Sequence, residues 1–119
     1  MIAEKYLKQE IEFITKMIAF FDTHDDFGGY VFDPWSLYGR MRSTIYYWCL
    51  HNKPSFFEDF CKAKNSLCMC LYELGYTAQE YGDDIGQVIF NPRGKTTFTK
   101  EQIFKLKKCL NDILDIFQK

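Results

Sequence analysis

Apolar residues recur along the opening of the chain at helical spacing. Leu7, Ile11, Ile14, Ile18 and Phe21 are separated by four, three, four and three residues, which traces one face of a helix over about 2–21. The period breaks in DTHDDFGGYVF, residues 22–32, where Gly28 and Gly29 sit among the acids Asp22, Asp25, Asp26 and Asp33, and a long loop is expected. Asp33 before Pro34 supplies an N-cap acceptor and then the residue best tolerated at a first helical position. A second helix is therefore predicted over about 34–51, ended by Asn52, Lys53 and Pro54.

Ser55 and Glu58 have the spacing of a capping box and open a third predicted helix over about 56–74, with Gly75 as its stop. Thr77 and Glu80 repeat the box, but Gly82 and Gly86 limit that segment to a turn or two of helix before Gln87. In QVIFNPRGKTTFT, two runs of strand-forming residues flank Asn91, Pro92, Arg93 and Gly94, which match a type I turn, so a small hairpin is expected over about 87–98. Thr99 and Gln102 form a further box before the last helix, about 100–118, whose stripe runs through Ile103, Leu106, Leu110, Ile113 and Phe117.

Four amphipathic helices of similar length bury their stripes most economically against one another. The expected fold is mainly α, a single four-helix bundle-like domain spanning 1–119 with a small β-hairpin before the last helix. The competing architecture is a small α+β domain in which the hairpin joins strands from residues 27–33. On a helical projection, Glu10 falls inside the apolar arc of the first helix and Arg42 inside that of the second, so an ion pair between them is expected to satisfy both charges.

Composition changes the picture in one respect. Apolar residues at 47% and charged residues at 26% are ordinary for a globular chain, but 12 Phe, 8 Tyr and 2 Trp make 18% of it aromatic. That exceeds what one small core consumes, so some aromatic surface is expected to face a partner. A formal net charge of -1 argues against a global basic field of the kind that wraps nucleic acid. Five cysteines, Cys49, Cys61, Cys68, Cys70 and Cys109, form an odd set without a C-x-x-C pair, no export signal opens the chain, and no apolar run approaches the roughly 20 residues needed to span a bilayer. The expected setting is the cytoplasm, with reduced thiols and no membrane association.

Candidate chemistry is sparse. Tyr81, Gly82, Asp83 and Asp84 resemble the metal-binding string of viral RNA polymerases, but four residues recur by chance, and that motif works within a far longer enzyme, opposite a further acid. The acids around His24 lack the spacing of a calcium loop. Cys68 and Cys70 lie about 200° apart on a helix and cannot share a metal there, and His51 is turned away from Cys49. The R-x4-H arrangement of HEPN ribonucleases is missing, since Arg40 and Arg42 precede Ile45 and Tyr47 at that distance. No catalytic residue, metal ligand or cofactor is expected.

Two segments remain as candidate interaction surface. One is the aromatic-rich stretch Phe27, Tyr30, Phe32 and Trp35, of a composition enriched in binding hot spots; the alternative is that these rings cap one end of the bundle. The other runs from Arg93 to Lys108, where six basic residues against Glu101 give a local charge of +5; Arg93, Lys95 and Lys105 are its candidate contacts for phosphate or an acidic protein, and a solvated helix face is the alternative. The expected function is a non-catalytic protein-binding module, such as an inhibitor of a larger intracellular protein of the immunity or phage anti-defence (anti-CRISPR) type. An RNA-binding or nucleoprotein-binding accessory protein is the second expectation, and an enzyme the third.

Overall fold

The structure, a computed structural model, describes residues 4–27, 37, 39–41, 43–74, 76–80, 88–92 and 97–118. Side chains are described for 7–27, 37, 39–41, 43–74 and 97–118. Within these, the chain is mainly helical: α1 is Glu4–Phe20, α2 is Thr44–Asn52, α3 is Phe57–Glu73 and α4 is Lys100–Phe117. Leu37 and residues 39–41 are helical as well. A radius of gyration of 14.0 Å lies close to the roughly 13.5 Å expected for a compact chain of this length.

The helices form a bundle because each turns one stripe inward. Glu10, Ile14, Met17 and Phe21 are the buried positions of the α1 segment, with Leu7, Ile11 and Ile18 partly buried beside them. From α3 come Phe60, Ala63, Leu67 and Leu71, and from α4 come Leu106, Cys109, Leu110, Ile113, Ile116 and Phe117. The packing of α3 against α4 is the most extensive helix pair, α1 lies on α4, and α2 bridges α1 and α3. Removing each buried Leu, Ile or Phe side chain from water contributes about 1.5–3 kcal/mol, so these stripes supply the main drive for assembly.

The α4 N-terminus forms as its sequence predicts. Gln102 N donates to Thr99 Oγ1 at 3.2 Å, and Thr99 N donates to Gln102 Oε1 at 2.9 Å, a reciprocal capping box. The α3 N-terminus does not. Pro54 instead opens a 3₁₀ turn, Pro54–Phe56, which puts Ser55 inside the turn and leaves Phe56 at the cap position with no side-chain cap bond. Proline fixes its own φ and needs no donor, so the turn starts before the hydroxyl can act.

The second helix is not continuous over 34–51. Ser43 adopts φ -121° and ψ -83° between the helical residues 39–41 and α2. Its Oγ donates to the Gly39 carbonyl at 2.6 Å, the acceptor that its own N–H also uses at 3.0 Å. Such back-bonding by serine competes with the ladder and bends a helix.

The hairpin expected over 87–98 is not supported. Asn91 and Pro92, read as its turn, belong to the extended segment β2, Val88–Pro92, which pairs antiparallel with β1, Tyr76–Glu80, from Tyr76 opposite Pro92 to Glu80 opposite Val88. The helical turn expected around Thr77–Glu80 is likewise replaced by extended backbone. A lone capping box is worth about 1 kcal/mol, less than a run of ladder bonds with the β-branched and aromatic residues Val88, Ile89 and Phe90 supplies. Proline is tolerated at the end of such a strand. Residues 93–96, and the strands considered for 28–33, lie outside the described residues.

The loop after α1 is anchored rather than open. His24 stacks on Phe20 with centroids 3.8 Å apart, and the Phe98 N–H donates to the Asp25 carbonyl at 2.6 Å. Phe27 packs edge-on against Phe21 at 5.5 Å and Phe98 at 5.4 Å. At 5% exposure Phe27 is core, which removes it from the candidate contact surface.

Candidate functional site: an exposed aromatic and basic face on α4

Phe104 is the most exposed large apolar side chain among the described residues, at 69%. At 100° per residue it lies about 180° from the centre of the buried stripe of α4, so the helix cannot bury it without exposing Leu106, Leu110 and Ile113. Lys100, Ile103, Phe104, Lys107, Lys108 and Asn111 line a shallow groove of about 560 Å³ around it. Lys108 also borders a second groove of about 410 Å³ between α3 and α4, where Met69, Cys70 and Glu73 face Lys105, Cys109 and Asp112. Met69, 59% exposed, occupies the far side of the α3 stripe for the same geometric reason as Phe104.

The lysines here are largely matched by acids. Lys105 lies 4.0 Å from Glu73 and 3.8 Å from Glu101, Lys108 lies 3.1 Å from Asp112, and Lys107 donates to Asp22. Exposed pairs of this kind contribute about 0–1 kcal/mol each. They spread the local charge of +5 into a mixed surface around an apolar centre. Lys100 has no carboxylate partner among the described residues.

The Glu10 carboxylate is buried at 7% exposure, as its place in the apolar arc predicts, but its described partner differs from the expected Arg42. Arg40 Nη1 donates to Glu10 Oε1 at 2.7 Å, and the guanidinium carbon stands 4.1 Å from the Phe13 ring centroid. Arg42 lies outside the residues whose side chains are described, as do Tyr30, Phe32, Trp35, Arg93 and Lys95. Lys105 is the one named contact residue whose surroundings are visible, half-exposed between two carboxylates.

All five cysteines carry free thiols, Cys49 and Cys109 buried and the others half-buried. Burial pushes the Cys49 thiol up to about 12, with Cys61 nearby adding to the shift and Lys53 opposing it. Cys70 Sγ and Cys109 Sγ meet at 3.6 Å across the α3–α4 contact. Among the described residues no group of three or more His, Cys, Asp or Glu side chains could hold a metal ion. No helix among them is long and apolar enough to cross a membrane.

Sequence reasoning missed Phe104 because it followed the stripe. The signal was present in the same projection: Phe104 is the aromatic residue of the last helix that falls off the stripe, next to Lys105, Lys107 and Lys108. No family model matches the chain, and neither a curated protein nor a solved structure matches it.

Proposed function

We propose that this chain is a non-catalytic protein-binding module that docks its partner across the outer face of α4, centred on Phe104. The observation that carries the reading is the exposed Phe104 ring, held on a capped, well-packed helix in an apolar groove rimmed by Lys100, Lys107 and Lys108. A rigid aromatic anchor contributes contact area at low entropic cost, and phenylalanine is among the residues enriched in protein–protein interfaces. The complementary occupant is a protein segment bearing an apolar side chain flanked by carboxylates. Such a module acts by occupying its partner's surface, which is the mode of an inhibitor of a larger protein.

Three observations favour protein over nucleic acid as the partner. The net charge is -1, three lysines of the face are paired with acids, and the groove at Phe104 is apolar. The test is affinity capture on the immobilised full chain, with and without nuclease, comparing the wild type with Phe104→Asp and with the triple alanine variant of Tyr30, Phe32 and Trp35. The expected result is a partner that survives nuclease and is lost with Phe104→Asp at unchanged melting temperature. Loss of the partner on nuclease treatment supports the nucleoprotein reading instead. Loss only in the triple variant moves the docking surface to the 30–35 segment.

A further inference from the structure

At 100° per residue, Cys70 lies about 65° off the centre of the α3 stripe of Phe60, Ala63, Leu67 and Leu71, and Cys109 about 45° off the centre of the α4 stripe, towards one edge of it. Each cysteine therefore stands at the flank of its stripe, where the packed interface of α3 and α4 gives way to solvent. The two flanks face each other. Cys70 Sγ and Cys109 Sγ are 3.6 Å apart although 39 residues separate them in sequence, and both line the open groove between the helices. Cys49 on α2 and Cys61 on α3 influence one another electrostatically, but no sulfur–sulfur contact joins them among the described residues.

We propose that Cys70 and Cys109 are a redox-active dithiol, which a low-molecular-weight disulfide such as oxidised glutathione converts into an intramolecular disulfide clamping α3 onto α4. A disulfide bond of about 2.0 Å requires the sulfurs to approach by about 1.6 Å, a movement within reach of side-chain rotation and a small helix shift. Buried thiols that merely fill space need not meet in a solvent-open groove.

Cys70, the more accessible of the two, attacks first as thiolate. It displaces one glutathione thiolate, which takes up a proton, and forms a mixed disulfide. Cys109 then loses its proton to solvent, and its sulfur attacks Cys70 Sγ and expels the second glutathione. Two protein thiols are oxidised and one glutathione disulfide is reduced to two glutathione thiols. Burial raises the Cys109 thiol to about 12, the neighbouring Cys70 and Asp112 add to this and Lys108 opposes it. The closing step is accordingly the slow one and accelerates about tenfold per pH unit below that value.

The experiment is incubation of the native full chain with oxidised glutathione, acid quench, alkylation of the remaining thiols and non-reducing peptide mapping, with helical circular dichroism followed throughout. The expected product has lost two hydrogens, links the Cys70 and Cys109 peptides and leaves three cysteines alkylated, while the helical signal is retained. Cys109→Ser stops at a glutathione adduct on Cys70. The linked wild type melts about 10 °C higher than the reduced chain. A stable glutathione adduct on the wild type, a dominant link through Cys49, Cys61 or Cys68, or five alkylated cysteines after prolonged exposure would each overturn the proposal. The wild-type map decides the matter even if the serine variant fails to fold.

Discussion

Arg40 donates to Glu10 Oε1 at 2.7 Å and lies over the Phe13 ring, so one guanidinium ties the helical segment before α2 to the middle of α1. The pair is asymmetric: the Glu10 side chain is 9% exposed and that of Arg40 32%. Glu10 Oε2 is buried with no hydrogen-bond partner among the described residues. A carboxylate so placed depends on its one visible cation, and the pair fixes how two helices meet rather than adding much net stability.

Arg40→Met is expected to destabilise the fold in urea, by less than the ~3–5 kcal/mol of a fully buried pair because water reaches the guanidinium. Glu10→Gln is expected to cost less, since the amide keeps an acceptor for Arg40. A double-mutant cycle should show coupling of about 1 kcal/mol or more, and additive effects would remove the pair from the account of stability.

Thr99→Ala is expected to cost about 0.5–2 kcal/mol through loss of the α4 cap. Ser55→Ala should be nearly silent, because Phe56 and not Ser55 stands at the α3 cap position and no side chain caps it. Equal losses at both positions in chemical denaturation would show that the 3₁₀ entry to α3 has been misread.

Leu110→Ala is expected to cost about 2–5 kcal/mol, as it opens a cavity at a fully buried position. Phe104→Ala, six residues earlier on the same helix, should change stability by no more than about 0.5 kcal/mol. A thermal melt of the two variants separates core from docking surface directly, and a strongly destabilised Phe104→Ala would place that ring in the core.

The Cys49 thiol is raised by burial to about 12 from its ordinary 9.0. Its contribution to stability is fully present below pH 9, where folded and unfolded chains both hold the proton. Above that the unfolded chain releases its proton first, so stability falls by about 1.4 kcal/mol per pH unit for this thiol until pH reaches about 12. Cys49→Ala should flatten the alkaline limb of a stability profile. An unchanged slope between pH 9 and 11 would show that Cys49 is not the group responsible.

The four helices and most of their buried stripes were legible along the chain, because a 3.6-residue period and a reciprocal cap are local properties. Ile14, Leu106, Leu110 and Ile113 are core where the spacing put them, Thr99 and Gln102 form their box, and Glu10 is buried as its position in the arc required. What failed depended on partners distant in sequence. Whether Thr77–Glu80 becomes helix or strand is decided by pairing with Val88–Pro92. Arg40 meets Glu10 across 30 residues of sequence, a pairing set by how the segment before α2 lies on α1. Phe27 enters the core because Phe21 and Phe98 leave a place for it. The contact of Cys70 with Cys109 arises from how α3 and α4 lie together, since packing sets which flanks face each other while periodicity sets only which face turns inward, as it does for the outward Phe104.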